Sequence, residues 1–132
     1  MTEELPLVIH WDTFPLDITD PLKRFKHSRF NYLFKNEDAK LIMGFFELEN
    51  GSEVVGELIG GGTSDEMMVV LEGQLYVSAP GMPEEVAGPG DLVACMRYRQ
   101  TRVAAKERAR VFFVVQGLSP EEAERVMRGG GH

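Results

Sequence analysis

Residues 66–71, reading E-M-M-V-V-L, constrain this chain more than any other stretch. Alternation along a strand sends Met67, Val69 and Leu71 to one face and Met68 and Val70 to the other. A strand apolar on both faces is covered on both sides. Glu66 opens the run with a lone carboxylate. Glu72-Gly73 closes it with a dipeptide suited to a tight turn, because Gly73 takes a positive φ without a Cβ penalty. A second apolar run follows at 74–79, so the two are expected to pair as a hairpin. Gly60-Gly61-Gly62 precedes this unit and Gly88-Pro89-Gly90-Asp91 follows it.

Strands with this punctuation recur. They are expected at 30–34, 40–48, 53–59, 66–71, 74–79, 84–87, 92–96, 101–105 and 110–116, about nine in all, spaced as in a sandwich or barrel. In strand 40–48, Leu41, Met43, Phe45 and Glu47 share one face and Ile42, Gly44, Phe46 and Leu48 the other. Fourteen glycines and seven prolines in 132 residues supply the turns, and a hydrophobic content of 43% suits one domain with a real core. One helix signal stands at the end: Ser119 as N-cap, Pro120 at N1, Glu122 at N3 and Gly129 as the stop. The division expected is an N-terminal arm (1–29), a β-barrel (30–118), and a helix with a flexible tail (119–132). Pro6, Pro15 and Pro21 interrupt the arm, Asp17 to Asp20 reads as loop, and Trp11 and Phe14 are its apolar anchors.

A formal charge of −7 speaks against a general nucleic-acid binder. No apolar run approaches a membrane span. Glu3 and Glu4 stand where a signal peptide carries positive charge, so a cytoplasmic protein is expected. The basic residues cluster at 23–29 and 97–110, either as a solvated face or as a patch for an anionic small molecule. Cys95 is the sole cysteine. No intrachain disulfide or cysteine metal cluster can form, and a buried, inert thiol is expected. His10 and His27 read as surface or packing residues.

The central stretch resembles the cupins, small jelly-roll β-barrels, from about Met43 to Gln116. Their first motif is G-x5-H-x-H-x3/4-E-x6-G. Glu66 with six residues before Gly73 matches its second half. Their second motif opens P-G-D, as Pro89-Gly90-Asp91 does here. Within the cupins, S-D-E-M-M-V-V-L-E-G is similar to the ethanolamine-utilisation Q-type branch. The resemblance implies an all-β, cupin-type jelly-roll β-barrel with a short C-terminal α-helix. It also puts the family's paired histidines among Ile59, Gly60, Gly61 and Gly62, and the last histidine near Thr101. Of four family metal ligands only Glu66 is kept. No metal and no other cofactor is therefore expected, since such a site needs three or four converging N/O ligands. A metal held by Glu66 with Glu57, Glu47 or His27 has no spacing signal behind it.

The resemblance turns Glu66 into the barrel, with Met68 and Val70 following on the same face. Tyr76, Glu57, Glu47, Arg99 and Thr101 are further candidates for the cavity. A carboxylate there must be neutral, paired or hydrogen-bonded. Three readings follow. Glu66 is an interior residue without chemistry. Alternatively, the barrel holds a small organic ligand, an anionic one included, with Glu66, Met68, Glu57, Arg97, Arg99 and Thr101 binding it. In the third reading Glu66 is the general acid or base of a metal-independent isomerase, epimerase, cyclase or lyase, with Tyr76 or Tyr98 as partner. The both-face apolar strands and the arm also suggest a homodimer of C2 type.

Overall fold

The computed structural model describes residues 6–16, 18–19, 28–36, 38, 40–49, 53–55 and 65–117. Among them are ten strands: β1 (Ile18–Thr19), β2 (Ser28–Asn36), β3 (Leu41–Leu48), β4 (Glu53–Val55), β5 (Asp65–Glu72), β6 (Leu75–Ser78), β7 (Glu85–Ala87), β8 (Leu92–Cys95), β9 (Arg102–Ala104) and β10 (Ala109–Gln116). They form two antiparallel sheets. The larger has the order β1-β2-β3-β10-β5-β8 and the smaller β4-β9-β6-β7. From β3 onward the chain passes back and forth between the sheets, staying in one only from β6 to β7. Their inner faces enclose the core, so the architecture is an all-β jelly-roll barrel.

The strand positions follow the apolar runs. Two expectations change. Asp17 to Asp20, read as loop, contains β1, because Ile18 and Thr19 find backbone partners in Phe30 and Arg29 of β2. The expected hairpin of 66–71 with 74–79 does not form. Both edges of β5 are taken, by β10 and β8, so β6 pairs in the other sheet with β7 and β9. Gly73 makes this corner with φ 81°, and a Cβ there would run into the carbonyl of Arg108.

The inner faces are buried. Leu48, Met68, Val70, Leu75, Val103 and Val111 are fully inaccessible to solvent. Burying side chains of this size contributes about 1.5–3 kcal/mol each. Alternation in β3 is as expected, with Ile42, Gly44, Phe46 and Leu48 inward. The Pro89-Gly90-Asp91 turn sets β8 beside β5. Gly90 N–H donates to the carbonyl of Val70 (2.8 Å), Val70 N–H donates to that of Asp91 (3.0 Å), and the Asp91 carboxylate accepts from Gly88 N–H (2.9 Å).

The outer face of the large sheet is covered unevenly. Residues 11–16 pack over β3 and β10, where the Phe14 ring lies 5.1 Å from Phe45 and Phe45 lies 5.5 Å from Phe112. Arg110 holds them there, donating from Nη2 to the carbonyls of Trp11 (2.9 Å) and Phe14 (2.6 Å). Beyond that cover the both-face burial expected of β5 is not reached. Met67 keeps 38% of its surface and its neighbour Leu92 66%, because β8 is the last strand of the sheet among the described residues and the described contacts of the arm lie over β3 and β10. No helix among the described residues is long and apolar enough to cross a membrane. The expected C-terminal helix, the glycine run at 60–62, His27 and Glu57 lie outside the described residues.

Candidate functional site

Glu66 is the second residue of β5 and stands one step inside the rim of the barrel. The register sets Ile42 of β3, Val115 of β10, Glu66 and Cys95 of β8 in one inward-facing row. All four are buried, Glu66 with 2% of its surface exposed. Its Oε1 is buried without a hydrogen-bond partner. Burial alone, with no cation to offset it, raises the carboxyl from 4.5 to about 8, so it is neutral at pH 7. Cys95 is a buried free thiol, as expected. Burial first, and the Glu66 charge second, push it up to about 12, while Arg99 pulls the other way. The row therefore offers two neutral polar groups, a carboxyl and a thiol, on an otherwise apolar wall.

Residues 96–101 leave β8 at Cys95 and cross to β9 in the opposite sheet, at the end of the barrel where Glu66 sits. Arg97 is bound to Asp65, the residue before Glu66. The Asp65 carboxylate accepts from Arg97 backbone N–H (2.8 Å), Nε (3.2 Å) and Nη2 (3.0 Å), and these bonds hold its pKa below the usual value. Arg99 donates from Nη1 to the Met82 sulfur (3.5 Å) and lies 5.7 Å from the ring centre of exposed Tyr98. Thr101 is buried, on the inward parity it shares with Val103, and its hydroxyl makes a long 3.4 Å bond to the Arg99 carbonyl.

The candidates thus separate. Glu66 and Met68 share the inner face of β5, with Thr101 buried in the opposite wall. Tyr76 does not join them. Val77 pairs inward with Val103, so Tyr76 faces outward, bonding Gln74 (3.3 Å) with Lys106 4.1 Å above its ring. Glu47 is also on an outer face, where its buried Oε2 meets Arg108 (3.2 Å) and Arg110 (3.3 Å). Arg97 is occupied by Asp65 rather than free for a ligand. Glu57 lies outside the described residues. Two neighbours were not legible as such: Asp65, whose only sequence signal is its adjacency to Glu66, and Cys95, whose place follows from strand pairing.

Thr101 stands where the resemblance puts a histidine, Glu66 faces a thiol, and among the described residues no three His, Cys, Asp or Glu side chains converge as a metal would need.

Two antiparallel sheets, a Pro-Gly-Asp turn into β8 and an inward carboxyl at the head of β5 define a cupin-fold barrel. No family model and no curated protein matches the sequence. Solved structures do match. Ectoine synthase from P. lautus aligns with TM-score 0.68 and 18% identity over 96% of this chain and 87% of that one. The cupin domain of Schizosaccharomyces pombe Cnp3 aligns with TM-score 0.65 and 15% identity over 96% and 81%. An ethanolamine utilization protein Q from Salmonella typhimurium aligns with TM-score 0.56 and 20% identity over 70% and 71%. Likenesses at such identities establish the shared fold.

Proposed function

We propose that this barrel binds a small organic molecule at its Glu66 end, without a metal. The observation that carries this reading is the unpartnered, fully buried Oε1 of Glu66. A buried polar atom left unpaired costs about 1–3 kcal/mol, and a ligand that hydrogen-bonds it recovers that loss. The neutral carboxyl can donate to a carbonyl or hydroxyl oxygen as well as accept. Ile42 and Val115 supply apolar contact beside it, and Arg99 supplies positive charge for an anionic group.

A second reading is favoured by a specific observation. A carboxyl at about 8 exchanges its proton near neutrality, which suits general acid–base chemistry of the isomerase, cyclase or lyase kind. Tyr76 faces outward and Tyr98 is exposed, so Glu66 would act alone or with the substrate's own groups.

The test is native mass spectrometry of the purified protein, followed by thermal-shift titration with small carboxylic acids, keto acids and polyols. The expected result is a retained or added small molecule whose affinity falls at least about tenfold in Glu66→Leu, the loss of one good hydrogen bond. Affinity unchanged by Glu66→Leu, or a barrel that retains and takes up nothing, overturns the reading. Chemical conversion of the bound compound by wild type but not Glu66→Gln selects the catalytic form.

A further inference from the structure

Among the described residues two arginine clamps of unlike exposure hold chain segments in place. Arg110 and its partner Glu47 are buried, Glu47 also meets the half-exposed Arg108, and Arg110 holds two carbonyls of the arm. The Arg97–Asp65 clamp uses the same chemistry in water, with side-chain exposures of 44% and 36%. The first is built to stay closed. The second is open to competition from solvent and salt.

What the second clamp holds is the crossing at the rim. Both feet of this segment are buried: Cys95 at one end, Thr101 at the other. Residues 97–100 between them are all exposed. Apart from the Arg97 bonds, its hydrogen bonds among the described residues are a turn of its own (Arg99 N–H to the Met96 carbonyl, 3.1 Å), the long Thr101 bond, and the sulfur contact of Arg99. Its first foot is the register partner of Glu66. Asp65, which takes all three Arg97 bonds, adjoins Glu66 in sequence. The latch therefore sits beside Glu66, whose buried Oε1 lacks a hydrogen-bond partner.

We propose that residues 96–101 are a flap over the Glu66 end of the barrel, latched by the Arg97–Asp65 pair, and that release of this latch admits a small molecule to Glu66. Asp65 and Arg97 are positioning residues in this scheme. They touch no ligand, and they set how often the flap opens. What enters rests on the ligand-binding reading above. The latch itself can be tested without any ligand, because Cys95 is the sole cysteine and lies at the flap's inner foot.

The experiment follows the reaction of Cys95 in the full chain with 5,5′-dithiobis(2-nitrobenzoate), for wild type, Arg97→Ala and Asp65→Asn, at constant pH and rising sodium chloride. The global unfolding rate is measured in the same buffers. The expected result is labelling about fivefold faster in either variant, the equivalent of one exposed ion pair. Wild-type labelling also accelerates with salt while the variants' does not, and Arg97→Lys falls between. Thermal midpoints fall by no more than the few degrees that one exposed ion pair accounts for, and labelling stays far faster than global unfolding, which separates latch release from general loss of stability. Equal rates in wild type and variants across the salt series, or labelling no faster than global unfolding, overturns the flap. Failure here leaves the affinity measurements on Glu66 standing, and failure of those leaves the labelling result standing.

Discussion

Glu66 and Cys95 are register partners across β5 and β8, both facing the barrel interior, and both are neutral at pH 7. Burial raises the carboxyl to about 8 and so keeps it neutral. The thiol, neutral at that pH even when exposed, is pushed further up by burial and by the carboxylate that forms beside it at higher pH. Among the described residues this acidic side chain sits in an apolar wall without an ion pair, and its protonation becomes part of folding.

Replacing Glu66 with Gln flattens the dependence of stability on pH. The folded carboxyl titrates at about 8 and the unfolded one at 4.5, so between these values unfolding releases a proton and stability falls as pH rises. The contribution is full below the unfolded value and is lost as pH passes the folded one. Glu66→Gln keeps the shape and removes the charge. Above pH 8 the variant is expected to exceed wild type by on the order of a few kcal/mol, with little difference near pH 4. Urea unfolding of both proteins at about pH 5, 7 and 9 measures this, and parallel pH curves would count against a buried, unpaired Glu66.

Arg110→Met releases the arm. It removes the donor to Trp11 and Phe14 and leaves Glu47 buried with the exposed Arg108 as its remaining arginine among the ion pairs described. Breaking a buried pair from one side costs about 3 kcal/mol, and Glu47→Gln in the same chain restores part of it. Trp11 is the only tryptophan, so its emission reports the arm directly. A red shift with faster cleavage within residues 6–16 is expected, while unchanged emission would mean the aromatic contacts hold the arm alone.

Gly73 and Gly81 share a left-handed backbone, at φ 81° and 78°. A Cβ at Gly81 meets nothing, whereas at Gly73 it meets the backbone of Arg108 and Ala109. Gly81→Ala therefore costs about 1 kcal/mol of conformational strain. Gly73→Ala costs more, by about 1–3 kcal/mol, because the corner between the sheets must open. Denaturant midpoints for the two variants rank the sites, and equal losses would refute the close approach.

Met67 and Met68 separate the faces of β5 in one experiment. Met68 is fully buried between Phe113 and Val93, while Met67 faces the thinly covered outer side. Met68→Ala is expected to lose about 2–5 kcal/mol through the cavity it leaves, and Met67→Ala less than about 1 kcal/mol. A barrel that tolerates Met68→Ala would have open space beside that side chain.

Much of the strand pattern was legible because alternation and glycine punctuation are local. The runs at 40–48, 66–71 and 110–116 carry their own period, and the structure keeps it to within a residue or two. That Glu66 shares a face with Met68 and Val70 was legible from parity, and the resemblance supplied that this face is the inner one. Strand neighbours were not, because a backbone edge pairs with whatever the fold brings to it. The run at 74–79 looks like the hairpin mate of 66–71 until β10 and β8 occupy both edges of β5. Tyr76 and Glu47 were misplaced for the same reason. Each has a definite parity, but which face is the inside depends on the sheet its strand joins.

The sequence by itself determined where most of the strands lie, which residues share a face, and that the lone thiol would be buried. Only the tertiary structure decided that Glu66 is buried beside that thiol, that Asp65 holds the crossing next to them through Arg97, and that Arg110 ties the arm to the outer face. The first set follows from backbone geometry repeating every two residues. The second follows from pairings up to 99 residues apart, which no local period encodes.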